Sequence, residues 1–259
     1  RPGERQQAGA GLAIEPVADR RDADVVAAVN RPAPDRAGQI REGAILAALI
    51  GIDGGDAVEA LNRRKVTVLA LERVPRITRA QSMDVLSSQA TVAGYQAVLL
   101  GTQSLPRFLP MLTTAAGSIP PGRVLVLGAG VAGLQAIATA RRLGAIVSGF
   151  DVRAAAAEQV QSLGARFIAP EAVSGDAETS GGYAKELADE QQRRVLEVIA
   201  GAIGAADLVV ATAAIPDRPA PRLITREIVE SMKPGAVIVD VSAATGCNCE
   251  LTRPCETVV

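Results

Sequence analysis

The apolar positions of this chain fall into short β-branched runs separated by stretches with helical spacing. Residues 11–14, 24–29, 44–50 and 66–71 read as strands, with a helix over 56–62 between the last two. A longer helix is expected from about residue 82 to 100, with Met83, Leu86, Ala90, Ala93, Ala97 and Leu100 on one broad face. Pro106, Pro110, Pro120 and Pro121 then mark a connecting segment. Beyond it the alternation resumes. Strands are expected over 124–127, 146–150, 166–168, 208–211 and 236–241, with helices over 134–143, 154–163, 190–203 and from a Thr225 cap to 232. The pattern predicts an α/β chain with two Rossmann-like parallel-sheet domains joined by long helices. The expected boundaries are 1–100 for the N-terminal domain with its connecting helix, 101–119 for a linker and 120–259 for the second domain.

The stretch after Leu127 carries the candidate chemistry. Gly128-Ala129-Gly130-Val131-Ala132-Gly133 is a G-x-G-x-x-G that follows a strand, opens a helix and leads to Asp151 at the tip of the next strand. Gly128 suits a tight turn, Gly130 lets the backbone approach a pyrophosphate, and Gly133 allows the helix to lie close on the strand. Free N–H groups and the positive end of the helix dipole would face the phosphates. A plain βαβ turn would explain Gly128 and Gly133 but gives no reason for Asp151. A carboxylate there accepts from ribose hydroxyls and repels a 2′-phosphate, which favours NAD(H) over NADP(H). Arg153 is near enough to weaken that preference, or is a solvated arginine at a helix start. Val131, Ala132, Val152, Arg153, Thr212 and Ala213 complete the expected cofactor contacts around the three glycines and Asp151.

Composition narrows the classes further. The 259 residues are 48% hydrophobic but only 2% aromatic, so the cores must be built from Ala, Val, Leu and Ile. The net charge of −1, with both signs interspersed, leaves no electrostatic footprint for nucleic acid and no polybasic membrane patch. The longest charge-free apolar stretch is the glycine fingerprint itself, which is too short to span a bilayer. Three cysteines, Cys247, Cys249 and Cys255, without any histidine fall short of a four-ligand zinc site, so no metal is expected. Without histidine there is also no imidazole for proton shuttling or a nucleophilic triad. Hydride transfer between two carriers needs neither, because the cofactor holds the reactive atom.

Two polar stretches stay open on the residues alone. Arg76, Gln81, Asp84 and Ser87 stand before and within the first turn of the long helix, where a capping loop is one reading and a site the other. Residues 170–186, with Gly181-Gly182 and Tyr183, read as a lid or as plain surface.

The segments PRITRAQSMDVLSSQATVAGYQAV (75–98), TAAGSIPPGRVLVLGAGVAGLQAIATARRLGA (114–145), FDVR, GGYAKE, PAPRLIT and SMKPGAVIVD resemble the NAD(H)-binding domain I, or alpha subunit, of proton-translocating nicotinamide nucleotide transhydrogenase, a family similar in fold to alanine dehydrogenase. The resemblance implies hydride transfer from NADH bound here to NADP⁺ on domain III of another chain. It also implies coupling to proton movement by membrane domain II, a homodimer, and a peripheral location on the cytoplasmic side of the bacterial inner membrane. It gives Arg76 to the nicotinamide carboxamide and Gln81 to the face meeting NADP(H). Asp84 and Ser87 go to the ribose and the loop, and Tyr183 to a closing loop. The family's Gly-Gly-Asn-Cys reads Gly246-Cys247-Asn248-Cys249 here, which asks a non-glycine residue to follow that turn. The family also carries strands and a helix at both ends that this sequence lacks, so the resemblance implies that the first of the two Rossmann-like domains is truncated. The alternatives are an alanine dehydrogenase-like oxidoreductase, disfavoured by the missing histidine, and a non-catalytic NAD-binding fragment.

Overall fold

The computed structural model describes residues 22–51, 55–75, 77–168, 189–215 and 218–259. Its contacts divide the chain into two units, with the boundary between Met83 and Asp84. The expected strand over 11–14, Arg76 and the 170–186 stretch with Tyr183 lie outside the described residues. Among the described residues no helix is long and apolar enough to cross a membrane, and no cluster of three acidic, cysteine or histidine side chains is placed to hold a metal ion.

The first unit is a parallel sheet of order β1-β2-β3, built from β1 (Val25–Asn30), β2 (Ile45–Leu49) and β3 (Thr67–Ala70). The short helix α1 (Pro34–Ala37) and α2 (Gly55–Arg63) provide the crossovers. Val26, Ile40, Leu46, Ala57 and Leu61 form its core. Fully buried aliphatic side chains such as Leu46 and Leu61 each contribute about 2 kcal/mol. A 3₁₀ turn over Thr78–Met83 leads out of this unit.

The second unit begins with α3 (Val85–Ser104), a helix of 20 residues. Asp84 caps it by accepting from the Ser87 N–H at 2.9 Å and the Ser87 hydroxyl at 2.6 Å. The helix therefore starts three residues later than its apolar spacing predicts, because Asp84 ends the preceding turn. Its buried face is shifted from the expected one: Leu86, Ala90 and Ala93 are half-buried and Ala97 is buried, as their spacing predicts. Met83 and Leu100 are exposed, while Gly94, Ala97, Val98 and Gly101 are buried. The reason is close approach rather than side-chain volume. A Cβ on Gly94 would lie 2.0 Å from the Ala132 carbonyl oxygen, and one on Gly101 2.4 Å from the Leu208 side chain. Glycine at both positions lets α3 lie directly on its neighbours, so a helix that hydrophobic spacing attaches to the first domain is packed as part of the second.

The expected proline-rich linker contains a small antiparallel hairpin, β4 (Leu112–Thr114) and β5 (Gly117–Ile119). The main sheet follows. It comprises β6 (Arg123–Leu127), β7 (Ile146–Phe150), β8 (Arg166–Ile168), β9 (Leu208–Ala211) and β10 (Val237–Asp240), all parallel in the order β10-β9-β6-β7-β8. Its crossover helices are α4 (Val131–Arg142), α5 (Ala156–Ser162), α6 (Asp189–Ile203) and α7 (Arg226–Glu230). Alternation along the strands sends Val124, Val126 and Val147 to the face covered by α3 and α4, and Leu125, Leu127 and Val209 to the face covered by α6. Strand order reverses at β6, which therefore has neighbours added on either side and marks the crevice where ligands of such sheets bind.

Candidate nucleotide site

The site is built at the C-terminal ends of β6, β7 and β9. β6 is buried along Val124–Leu127, which fixes where its last residue ends and the turn must begin. Gly128 has φ +95, and a Cβ there would stand 2.9 Å from the Ala213 nitrogen. Positive φ and lack of space both demand glycine. A Cβ on Gly133 would lie 1.7 Å from the Gly128 carbonyl oxygen and 3.0 Å from Thr212 Oγ1. Gly133 therefore sets how closely α4 sits on the turn.

Gly130 is different. It is the N-cap of α4 at φ −78, no side chain caps the helix, and nothing lies within 4 Å of where its Cβ would be. No packing constraint asks for glycine here. What its absent Cβ leaves is open space beside helix-start amides that lack intrahelical partners, a cradle suited to a diphosphate. Val131 is partly exposed at the same helix start. The helix begins at Val131 rather than at 134, so the second half of the fingerprint forms its first turn.

Thr212 ties the turn to the next strand. Its N–H donates to the Leu127 carbonyl at 2.8 Å and its hydroxyl to the Gly128 carbonyl at 2.9 Å. The Gly128 N–H donates to the Phe150 carbonyl at 2.8 Å, which brings the end of β7 alongside.

Asp151 follows directly and is 6% exposed. Its Oδ2 accepts from the Ala129 N–H at 2.7 Å and from Arg153 Nη2 at 2.8 Å. Its Oδ1 accepts from the Arg153 N–H and Nε, both at 2.9 Å. The reading of Arg153 as a solvated arginine is thus corrected: its guanidinium grips the Asp151 carboxylate through two nitrogens, and its side chain is mostly buried. Val152 is half-buried against the α6 side of the core.

The contacts of α3 locate Asp84 and Ser87. Gly94 meets the start of α4 and Gly101 the start of β9, so α3 runs antiparallel to the strands. Ser87 lies seven residues before Gly94, roughly 10 Å further along the helix at 1.5 Å per residue. Asp84 and Ser87 thus extend past the sheet edge that carries Gly128 and Asp151. Their mutual hydrogen bonds show capping geometry. Gln81 belongs to the first unit, is exposed and sits in the 3₁₀ turn.

A buried polar network backs the site, and sequence reasoning did not single it out. The Asp240 carboxylate at the end of β10 accepts from the N–H groups of Ser242, Asn248 and Cys249 and from the Thr252 hydroxyl, at 2.8–3.0 Å. The Ser242 hydroxyl and Asn248 Nδ2 both donate to the Ala213 carbonyl, at 3.0 and 2.9 Å. The family departure at Cys247 is accommodated there. Cys247 adopts φ +63 after Gly246 at φ +124, and its N–H donates to the Ser242 carbonyl at 3.1 Å. The signal available beforehand was the run Gly246-Cys247-Asn248-Cys249 beside an acidic strand end, but its partners lie as far as 35 residues away.

The sheet order, the glycine turn and the acidic strand tip define a Rossmann-like dinucleotide-binding fold of the oxidoreductase type. The chain belongs to the alanine dehydrogenase/PNT family: the model of its N-terminal domain matches residues 4–93 and that of its C-terminal domain residues 97–259. It is 50% identical over 260 residues to the first portion of the NAD(P) transhydrogenase alpha subunit of Rhodospirillum rubrum, covering 97% of this chain and 67% of that protein. The crystal structure of transhydrogenase from Sinorhizobium meliloti matches with a TM-score of 0.76 at 47% identity, over 91% of this chain and 63% of that one. Alanine dehydrogenase of Mycobacterium tuberculosis is 31% identical over 90% of this chain and 58% of its own length. The chain thus spans 58–67% of the length of these relatives.

Proposed function

We propose that this chain is the NAD(H)-binding component of a proton-translocating transhydrogenase. It holds NADH for direct hydride transfer to NADP⁺ on domain III, and membrane domain II couples that exchange to proton movement. The single observation that carries the reading is the open cradle at Gly130, at a helix start with no side-chain cap, beside the buried Asp151 carboxylate. The half-identity to a transhydrogenase alpha subunit across nearly the whole chain supports the partner assignment. When bound, the nicotinamide supplies the hydride. The protein's part is position: the α4 amides with Gly130 seat the diphosphate, Asp151 selects the unphosphorylated ribose, and Thr212 with Ala213 fixes the turn. Asp84 and Ser87 serve the ribose and the loop in this reading, Arg76 the carboxamide, Gln81 the face toward NADP(H), and Tyr183 a closing loop. The working form is a homodimer held at the cytoplasmic side of the membrane by its partner domains.

Mixing the chain with a separate NADP(H)-binding domain III tests the reading, with hydride exchange between NADH and an NADP⁺ analogue as the expected result. Gln81→Asn should slow that exchange far more than it weakens NADH binding; a collapse of NADH affinity would overturn the role given to Gln81. The alanine dehydrogenase reading has relatives behind it, but that chemistry relies on a histidine and this chain has none. Oxidation of NADH that depends on pyruvate and ammonia would decide for it. An inert fragment would show no rise in melting temperature with NADH.

A further inference from the structure

We propose that Asn248 is a positioning residue for the nucleotide turn, acting from behind Ala213 through a hydrogen bond to its carbonyl, braced by a second to Pro221, that fixes where the exit of β9 meets Gly128. The inference rests on the reading of that turn as the dinucleotide seat. Asn248 is fully buried, so it cannot touch a ligand in the cleft. Its Nδ2 donates to the Ala213 carbonyl at 2.9 Å and to the Pro221 carbonyl at 2.8 Å. Its Oδ1 has no partner. The side chain is therefore present for its two donors. Turning the amide over would set its oxygen against two carbonyls, so the orientation is fixed by chemistry.

The backbone of Asn248 is anchored on both sides. Its N–H donates to Asp240 Oδ2 at 2.8 Å, and its carbonyl accepts from the N–H groups of Leu223 and Ile224 at 2.9 and 3.0 Å. The left-handed backbone at Gly246 and Cys247 brings the residue into place between these segments. Ala213 in turn stands where it would collide with any Cβ on Gly128, at 2.9 Å from its nitrogen and 3.0 Å from its Cα. Ala213 is thus held by its carbonyl on one side and abuts the turn on the other. A small release on the Asn248 side transfers directly to Gly128, and from there to Gly133 and the start of α4. Ser242 provides the second hold on the same carbonyl, at 3.0 Å. The motif residue Asn248 thereby acquires a purpose that a surface loop would not give it.

The test uses the full chain with Asn248→Asp, Asn248→Ser and Ser242→Ala, and Val160→Ala as a core control in the cluster on the opposite face of the sheet. Asn248→Asp keeps the shape and removes both donors. NADH affinity should fall by about tenfold or more in Asn248→Asp and a few-fold in Ser242→Ala, each measured well below its melting temperature. In the nucleotide-free protein the amides of Gly128 and Thr212 should exchange hydrogen about tenfold faster, while that of Gly144 keeps its rate. The control should lose stability without either change, which separates positioning from general weakening. Wild-type exchange at Gly128 and Thr212 in the variants, or an affinity loss no greater than the control's, overturns the proposal. If the unaltered chain takes up no NADH, the nucleotide reading fails and the exchange rates alone decide the clamp. If Asn248→Asp does not fold, Asn248→Ser and Ser242→Ala carry the same two readouts.

Discussion

The two edges of the five-stranded sheet are finished in opposite ways. At the C-terminal edge stand the glycine turn, an uncapped helix start and the open space beside Gly130. At the N-terminal edge Asp207 is buried and fully engaged. It accepts from Arg107 Nη1 at 2.9 Å, Lys233 Nζ at 3.0 Å and the Arg123 N–H at 2.8 Å, tying the segment before the hairpin to the starts of β6, β9 and β10. Burial pushes the Asp207 carboxyl up, but the Arg123 amide and the two cations outweigh it and hold the group below the ordinary carboxylate range. A displaced carboxylate is often taken as the mark of an active site. Here it marks the sealed edge, and the open edge is recognised by unused donors and missing Cβ atoms.

The largest expected effect comes from closing the open edge by force. Gly133→Val places a Cβ 1.7 Å from the Gly128 carbonyl oxygen, backbone against backbone with no flexible side chain to yield. A loss above about 4 kcal/mol is expected, enough to lower the melting temperature by roughly 10 °C or more in a chain of this size. Circular-dichroism melting checks it; a wild-type melting curve would mean that the turn and α4 do not touch as described.

Next in size is Asp207→Ala. It takes a shared carboxylate from two cations and a β-strand amide, leaving Lys233 the Ala205 carbonyl and Arg107 the Pro120 carbonyl, and should cost about 3 kcal/mol in urea unfolding at pH 7. The pH dependence has a definite sign. A carboxyl whose folded pKa lies below its unfolded value of about 3.9 contributes its full stability above that pH and loses it as the pH falls through the folded value. The wild-type chain should therefore weaken more steeply below about pH 4 than Asp207→Ala does. Parallel acid limbs in the two proteins would remove the sealed-edge account.

The contrast between edges also separates what could be read from the residues alone from what could not. β7, β8 and β9 fall where alternation and turn residues place them, because each is a short apolar run bounded by a glycine, a polar residue or a proline. The glycine turn and Asp151 were legible for the same reason, since their geometry is local. Three features were not. The hairpin at Leu112–Ile119 is hidden among prolines and has no apolar alternation of its own. The buried stripe of α3 is written in Gly94 and Gly101, which a hydrophobic pattern scores as gaps although they mark close approach, to the Ala132 backbone and the Leu208 side chain. Asn248 and Asp207 find partners 26 to 100 residues away, and no spacing rule reaches that far.

A smaller effect is expected at Asp151, and it sharpens the account of the open edge. Asp151→Ala takes the carboxylate away from the Arg153 guanidinium and removes the acceptor of the Ala129 N–H, costing about 1–3 kcal/mol. The consequence for binding should exceed the consequence for folding. With the carboxylate gone, the preference for NADH over NADPH should narrow by about tenfold or more, since the charge that repels a 2′-phosphate is removed. Titration of both nucleotides decides it, and unchanged discrimination would remove Asp151 from the ribose.

The smallest structural effect is the most discriminating. Gly130 and Gly133 are three residues apart in the same fingerprint, yet they carry opposite constraints. Gly130 has an ordinary negative φ and empty space where a Cβ would go, so Gly130→Ala should change stability by no more than about 1 kcal/mol, the scale of an N-cap preference. If glycine is kept there for a ligand, a single methyl group should instead weaken NADH binding by about tenfold or more, because it occupies the space the diphosphate needs beside the helix-start amides. The pairing of an unchanged melting temperature with lost affinity cannot arise from a packing role. An alanine variant that binds NADH as the wild type does would show that the cradle is a by-product of the turn, and would leave Gly128 and Gly133 as glycines that only fold the protein.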